Sequence, residues 1–229
     1  MTATLSVPNF GEEYAARLHG FLDLVADRRI TVGTLGPVGT SSHDAAAYLQ
    51  ETLMKNDGGG PVVLRLYDQF EPLLSDVCEG HVDLALVPSA YRDATAFHWH
   101  PRLELAFHFA RRTPSYGLAS GAGGPPVGPL SLAAMPETRS LCDALCPPEL
   151  RGRVMCCIDA KSTHHAAQMV ADGQAHLALT NEKNRELFGL RWLASRRSTE
   201  VVWLLFQNTE QFDLDALTAP SLHDDGELR

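Results

Sequence analysis

The sequence predicts an α/β protein of two lobes, and three observations carry that prediction. From Ile30 onward, short β-branched or apolar runs alternate with longer amphipathic stretches, the βαβ rhythm of a parallel sheet with helices on both faces. Gly121-Ala-Gly-Gly-Pro-Pro-Val-Gly-Pro129 is the strongest loop signal in the chain, and after it the alternation resumes as a second unit. The chain has 229 residues, 45% of them hydrophobic and 21% charged, enough for a real core and two lobes.

Residues 1–28 read as an amphipathic helix, because Tyr14, Leu18, Phe21, Leu22 and Val25 share one face. It packs on the domain or on a second subunit, which leaves a homodimer open. Ile30–Leu35 alternates and is β-branched, as a strand is. A helix over 41–54 follows, with Ser41 or Ser42 as its cap and Ala45, Ala46 and Leu49 on its apolar side. The first unit continues with a strand at 62–67, a helix at 69–79 and a strand at 83–87; Asp57-Gly-Gly-Gly60 is a surface turn. Leu103–Phe109 and Ser115–Ala119 are strands that cross out of the first lobe. The second unit holds a helix around 137–146, a strand at 153–158, a helix at 162–172, a strand at 175–179 and a short helix at 182–188. Gly189 ends that helix as a left-handed cap. Glu200–Gln207 is a strand, and the polar, acidic end is loose.

Gly33-Thr-Leu-Gly-Pro-Val-Gly-Thr-Ser-Ser-His-Asp-Ala-Ala46 is the most informative stretch. A strand ends in a Gly-Pro-x-Gly turn and a hydroxyl cluster opens a helix. Backbone N–H groups and the positive end of a helix dipole then face the space above a strand end, which suits a carboxylate or phosphate. The same pattern also describes an ordinary capped strand–turn–helix.

That string resembles the Gly-Pro-x-Gly-Thr-Phe-Ser-x-x-Ala-Ala signature of prephenate dehydratase domains. Gly36, Pro37, Gly39, Thr40, Ser42, Ala45 and Ala46 match, and Ser41 stands where the dehydratases carry Phe. The resemblance continues in order through Asp68-Gln-Phe70, Cys78-Glu-Gly80 and the run Val82–Val87. It extends to Ser162-Thr163 with Ala166-Ala167 and to Phe188-Gly189-Leu190, which is similar to the family's Tyr-Gly-Leu. It spans roughly residues 30–207. It implies a two-lobed, type II periplasmic-binding-protein-like fold with the ligand cleft between lobes. Lobe 1 would take about 30–110 plus 196–208 and lobe 2 about 111–195. Residues 1–29 would be a helical extension and 209–229 a flexible acidic tail, with no ACT domain.

Two departures redirect the reading. Dehydratases carry a Thr-Arg-Phe element whose Thr protonates the departing ring hydroxyl, and the corresponding stretch here is Glu200-Val-Val-Trp-Leu-Leu-Phe206. Pro88-Ser89-Ala90-Tyr91 replaces the family's Pro-Ile-Glu-Asn-Ser. The strings Thr34–Ser42, Val87–Tyr91, Thr113–Ala119 and Leu179–Glu182 resemble instead the prephenate decarboxylases, non-aromatising enzymes of bacilysin-, aeruginoside- and salinosporamide-type biosynthesis. The resemblance implies loss of CO2 with allylic protonation and retention of the ring hydroxyl, giving dihydro-4-hydroxyphenylpyruvate without cofactor or metal. A true dehydratase using another acid and a non-catalytic small-anion binder remain the alternatives.

The substrate is a dicarboxylate, and both units offer anion holders. Thr40, Ser41 and Ser42 open the first helix, Lys161-Ser162-Thr163 opens one in the second unit, and Thr180-Asn181-Glu182 sits at another strand end. Ser89 and Trp203 complete the expected binding residues, with Val202-Trp203 or its neighbours as an apolar wall that keeps the departing carboxylate dry. Tyr91, at a strand end, is the expected proton donor, with His43 and His98 as the near-neutral alternatives.

The net charge of −9 argues against a nucleic-acid surface, and no run of 18 apolar residues occurs to span a membrane. The first ten residues lack a basic segment followed by an apolar core, so a cytoplasmic protein is expected. Cys78, Cys142, Cys146, Cys156 and Cys157 are expected to be reduced thiols, since their spacing fits no common zinc site. His98-Trp-His100 and His164-His165 lack a third ligand nearby in sequence, so no metal is expected.

Overall fold

The computed structural model describes residues 9–26, 28–55 and 60–210. Its strands form two five-stranded sheets. The first sheet has the order β2-β1-β3-β10-β4, from strands β1 (Ile30–Leu35), β2 (Val62–Tyr67), β3 (Leu84–Pro88), β4 (Leu103–Arg112) and β10 (Glu200–Asn208). The second has the order β7-β6-β8-β5-β9, from β5 (Tyr116–Ser120), β6 (Leu130–Ala134), β7 (Val154–Asp159), β8 (Leu177–Asn181) and β9 (Arg191–Arg196).

The expected βαβ rhythm produces only part of each sheet. β1 pairs parallel with β2 and β3, and β6 pairs parallel with β7 and β8. β10 is antiparallel to both β3 and β4, and β5 is antiparallel to both β8 and β9. These antiparallel strands are the ones that carry the chain between the two sheets. The two crossings lie side by side, because Thr113 N–H donates to the Thr199 carbonyl at 2.9 Å and Thr199 N–H donates to Thr113 Oγ1 at 3.3 Å.

Helices cover both faces of the first sheet. α1 (Phe10–Val25) and α2 (Ser41–Lys55) bury Phe21, Leu24, Val25, Ala45, Ala46, Leu49 and Leu53 against Ile30, Val32, Leu84 and Leu86. α3 (Phe70–Cys78) and the single turn α4 (Thr95–His98) bury Phe70, Leu73, Val77 and Phe97 against Leu35, Ala85, Val87 and Phe206 on the other face. The second sheet is closed by α6 (Thr163–Ala171) on one side and α5 (Ser140–Leu145) on the other. α7 (Glu182–Leu187) ends at Gly189, whose φ of +62° is the expected left-handed cap.

α1 packs on its own first sheet: Phe21 stacks on Phe107 with ring centroids 4.9 Å apart, and the Tyr14 hydroxyl donates to the His108 carbonyl at 3.0 Å. Three elements escape the sequence reading. α4 is a single turn. β6 is Leu-Ser-Leu-Ala-Ala, poor in β-branched residues. β9 is an edge strand with exposed arginines at both ends. β8 also runs two residues past its expected end, which places Thr180 inside the sheet. Most of the Asp57–Gly60 turn and of the acidic tail lies outside the described residues. All five cysteines are free thiols; burial, followed by the neighbouring Cys146, pushes the Cys142 thiol up to about 11.

Candidate active site

A cleft of about 630 Å³ opens between the two sheets, lined from both. Its floor on the first sheet begins where β1 ends. Gly39, at φ +92°, turns the chain in a conformation that costs an L side chain strain, and Thr40 then caps α2. Thr40 Oγ1 accepts from the His43 N–H at 3.2 Å and donates to the Leu35 and Pro37 carbonyls at 3.1 and 3.0 Å. The cap is therefore Thr40, where the sequence reading expects Ser41 or Ser42, and the serine side chains are left to line the cleft. Ser41 Oγ lies 2.6 Å from the Tyr116 hydroxyl on β5, a contact from one lobe to the other. Burial pushes the Tyr116 phenol above its ordinary range, and the Ser41 hydrogen bond only partly offsets it.

The second sheet contributes the start of α6. Ser162 Oγ accepts from the His165 N–H at 3.0 Å as the helix cap. Ser162 and Thr163 both line the cleft, so two helix N-termini, one from each lobe, border one cavity. Such ends present unpaired N–H groups and positive partial charge to an anion. After β6, a 3₁₀ turn (Pro136–Thr138) adds Glu137 and Thr138, preceded by Met135. Glu137 Oε2 is buried and has no hydrogen-bond partner among the described residues.

β10 supplies one wall. Val201 and Trp203 line the cleft, whereas Val202, between them, faces away and its carbonyl accepts from Ser89 N–H at 2.8 Å. This alternation is the ordinary period of a strand. Within the stretch expected to form the wall, it selects Val201 and Trp203 and leaves Val202 outside. Trp203 is 2% exposed and its buried indole N–H has no partner among the described residues.

Of the other expected residues, Tyr91 lines the cleft, but its hydroxyl is 3.5 Å from Glu71 Oε1. Burial, together with the Glu71, Asp93 and Glu137 carboxylates, pushes this phenol up to about 12. Four expected residues, like Ser89, lie off the lining. Ser89 is spent on the turn after β3, paired through its backbone to β10. Thr180 donates to the Thr163 carbonyl at 2.8 Å from behind α6. Asn181 donates to the Gly39 carbonyl at 3.2 Å and caps α7, so it bridges the lobes rather than meeting a ligand directly. His43 points to the side of α2, its Nδ1 3.9 Å from the Asp44 carboxylate. His98 packs its ring edge-on against Phe206, centroids 4.8 Å apart, on the face of the first sheet covered by α3 and α4. Neither histidine lines the cleft.

Sequence reasoning missed Thr113, Tyr116 and Glu137. Tyr116 stands inside the quoted string Thr113–Ala119, and its place two residues past a proline at a strand start was the available signal. Glu137 had none, because the β6 strand that delivers it went unread.

Among the described residues, no lysine, arginine or histidine lines this cleft. A neighbouring mouth shares Tyr91, Met135 and Glu137 with it and adds Arg92 and Lys161, along with Asp68 and Glu71. Elsewhere, Asp76, Glu79 and His81 bring ligand atoms within 4.8 Å of one another, but Asp76 is already engaged by the Tyr67 hydroxyl at 2.6 Å and Arg65 at 3.1 Å. No helix among the described residues is long and apolar enough to cross a membrane.

The chain matches no family model. It is similar to a prephenate decarboxylase of Planktothrix agardhii, with 33% identity over 180 residues, covering 78% of this chain and 88% of the relative. A prephenate decarboxylase of Bacillus subtilis is 31% identical over 190 residues, covering 80% and 89%. Among solved structures, prephenate dehydratase of Arthrobacter aurescens in complex with L-Phe matches with a TM-score of 0.55 at 18% identity. That match covers 78% of this chain but only 60% of the dehydratase. The periplasmic VFT2 domain of Bordetella pertussis BvgS also matches at 0.55, with 15% identity over 93% of each chain. These structural likenesses establish the two-lobed α/β fold that dehydratases share with periplasmic-binding-protein-like domains. Taken with one-third identity over nearly nine-tenths of the Planktothrix protein, they show that the chain belongs to the prephenate decarboxylase family.

Proposed function

We propose that this chain decarboxylates prephenate without aromatising it, and that the dihydro-4-hydroxyphenylpyruvate formed feeds biosynthesis of a non-proteinogenic amino acid. Prephenate carries a pyruvyl carboxylate, a second carboxylate on a quaternary ring carbon and a ring hydroxyl opposite it. Protonating the hydroxyl expels water and yields a benzenoid ring; the decarboxylase must release CO2 while the hydroxyl stays.

The observation that carries the reading is the wall from β10. Val201 and Trp203 are the β10 residues that face the cavity and neither is an acid, so the wall itself offers no proton to drive the hydroxyl out. A large buried ring also displaces water beside the departing carboxylate, whose charge is lost as CO2 forms. The two helix N-termini at Thr40–Ser42 and Ser162–Thr163 hold the dianion by N–H groups and hydroxyls that need not reorganise during the reaction.

The test is direct. Purified protein incubated with prephenate at neutral pH should release CO2 and give a product without benzenoid ultraviolet absorption. Phenylpyruvate above the spontaneous background would overturn the reading in favour of a dehydratase, and tight binding without CO2 release would overturn it in favour of an anion binder.

A further inference from the structure

The structure assigns Glu137 as the acid that delivers the proton to the ring, an inference that rests on the decarboxylase reading. In that reaction the bond from the quaternary carbon to its carboxylate breaks and the carboxylate leaves as CO2. The freed pair becomes a new ring double bond to the neighbouring carbon. The pair of the former double bond takes up one proton at its far end. No electron acceptor is needed, but each CO2 released consumes one proton, so the cleft must contain or admit a donor.

The groups facing the cavity that bear a transferable proton are few. The serine and threonine hydroxyls are weak acids, and several are engaged in holding the fold: Thr40 donates to the Leu35 and Pro37 carbonyls, and Ser162 caps α6. The Tyr116 hydroxyl is tied to Ser41 at 2.6 Å, and the Tyr91 hydroxyl turns towards Glu71. Among the described residues, Glu137 is the one carboxyl that lines the cleft. Its Oε2 is buried without a hydrogen-bond partner among the described residues, and the cations nearest in the lining, Arg92 and Lys161, belong to the adjoining mouth rather than to this cavity.

Two features of position fit the role. Glu137 comes from the second lobe and the Val201–Trp203 wall from the first, so a ring laid between them meets acid on one side and an apolar surface on the other. The residue also lines the neighbouring mouth with Asp68, Arg92 and Lys161, which gives it a route to be reprotonated between turnovers.

The experiment compares wild-type protein with Glu137→Gln and Glu137→Asp on prephenate in D2O, locating deuterium in the product by NMR. Wild type should place deuterium on one face of one carbon. Glu137→Gln should bind prephenate within threefold of wild type but lose about 10²–10⁴-fold in kcat, the usual contribution of a general acid. Its residual product should carry deuterium on both faces, because water then supplies the proton. Glu137→Asp, with the carboxyl drawn back by one methylene, should lose less and keep the facial preference; this variant decides the matter if the glutamine one fails to fold. Glu137→Gln turnover within threefold of wild type, or loss of facial preference in Tyr91→Phe alone, would overturn the assignment. If wild type itself releases no CO2, the decarboxylase reading fails instead, before the variants are compared.

Discussion

Tyr116 and Ser41 illustrate how much rests on single side chains in a cleft shared by two lobes. Their hydroxyls are 2.6 Å apart, and each comes from a different sheet. A hydrogen bond of this kind contributes about 0.5–1.5 kcal/mol. A double-mutant cycle of Tyr116→Phe and Ser41→Ala, read by urea unfolding, should therefore give a coupling of about 1 kcal/mol; additive effects would show that the contact contributes nothing. Asp76, away from the cleft, makes a pH-dependent contribution. The Tyr67 hydroxyl, followed by Arg65 and His81, holds its carboxyl below the usual range. A carboxyl depressed on folding stabilises the protein above the unfolded carboxyl's range, about 4, and that stabilisation is lost as pH falls through the folded value. Asp76→Asn should lower the urea midpoint at pH 7, with wild type and variant converging as the pH drops below about 4.

At the scale of elements, the turn from β1 into α2 does most to place the site. Gly39 holds φ +92°, and a Cβ there would stand 3.3 Å from Asn184 Oδ1 on α7 of the other lobe. Gly39→Ala should cost about 1–2 kcal/mol in backbone strain and should raise KM for prephenate as well, because the added atom presses on the opposite lobe. An unchanged KM with lowered stability would confine the effect to the turn. The cap of α6 makes the contrasting case. Ser162→Ala removes an N-cap worth about 1 kcal/mol and a hydroxyl facing the cleft, so both thermal stability and substrate affinity should fall. β10 teaches the same lesson about strands. Its period of two, rather than its composition, decides that Val201 and Trp203 line the cleft while Val202 does not.

The whole molecule is held in its present arrangement by a row of contacts across the cleft. Ser41 meets Tyr116, Asn181 donates to the Gly39 carbonyl, and Lys183 Nζ lies 2.6 Å from Asp44 Oδ1. The last pair is half exposed on the lysine side, so its contribution is within about 1 kcal/mol and screened by salt. Lys183→Gln should shift the unfolding midpoint slightly at low ionic strength and not at all in 1 M salt, where the screening length is about 3 Å. A shift that survives high salt would mean that Lys183 acts through packing.

The sequence by itself determined the α/β class, the capped strand–turn–helix at residues 30–46 and the strands at β4, β5 and β10, whereas the return of β10 to the first sheet was implied only by the family resemblance. The former rest on local periodicity and on glycine, proline and hydroxyl residues whose preferences act over a few positions. Only the tertiary structure decided which side chains share the cavity. His43 and Thr180 stand at helix and strand ends, as ligand-holding residues do, yet one is turned to the flank of α2 and the other is enclosed behind α6. Glu137 gave no sign in the sequence because the strand before it is short and alanine-rich. Its buried, unpartnered oxygen exists only once two sheets, distant in sequence, close on the same space.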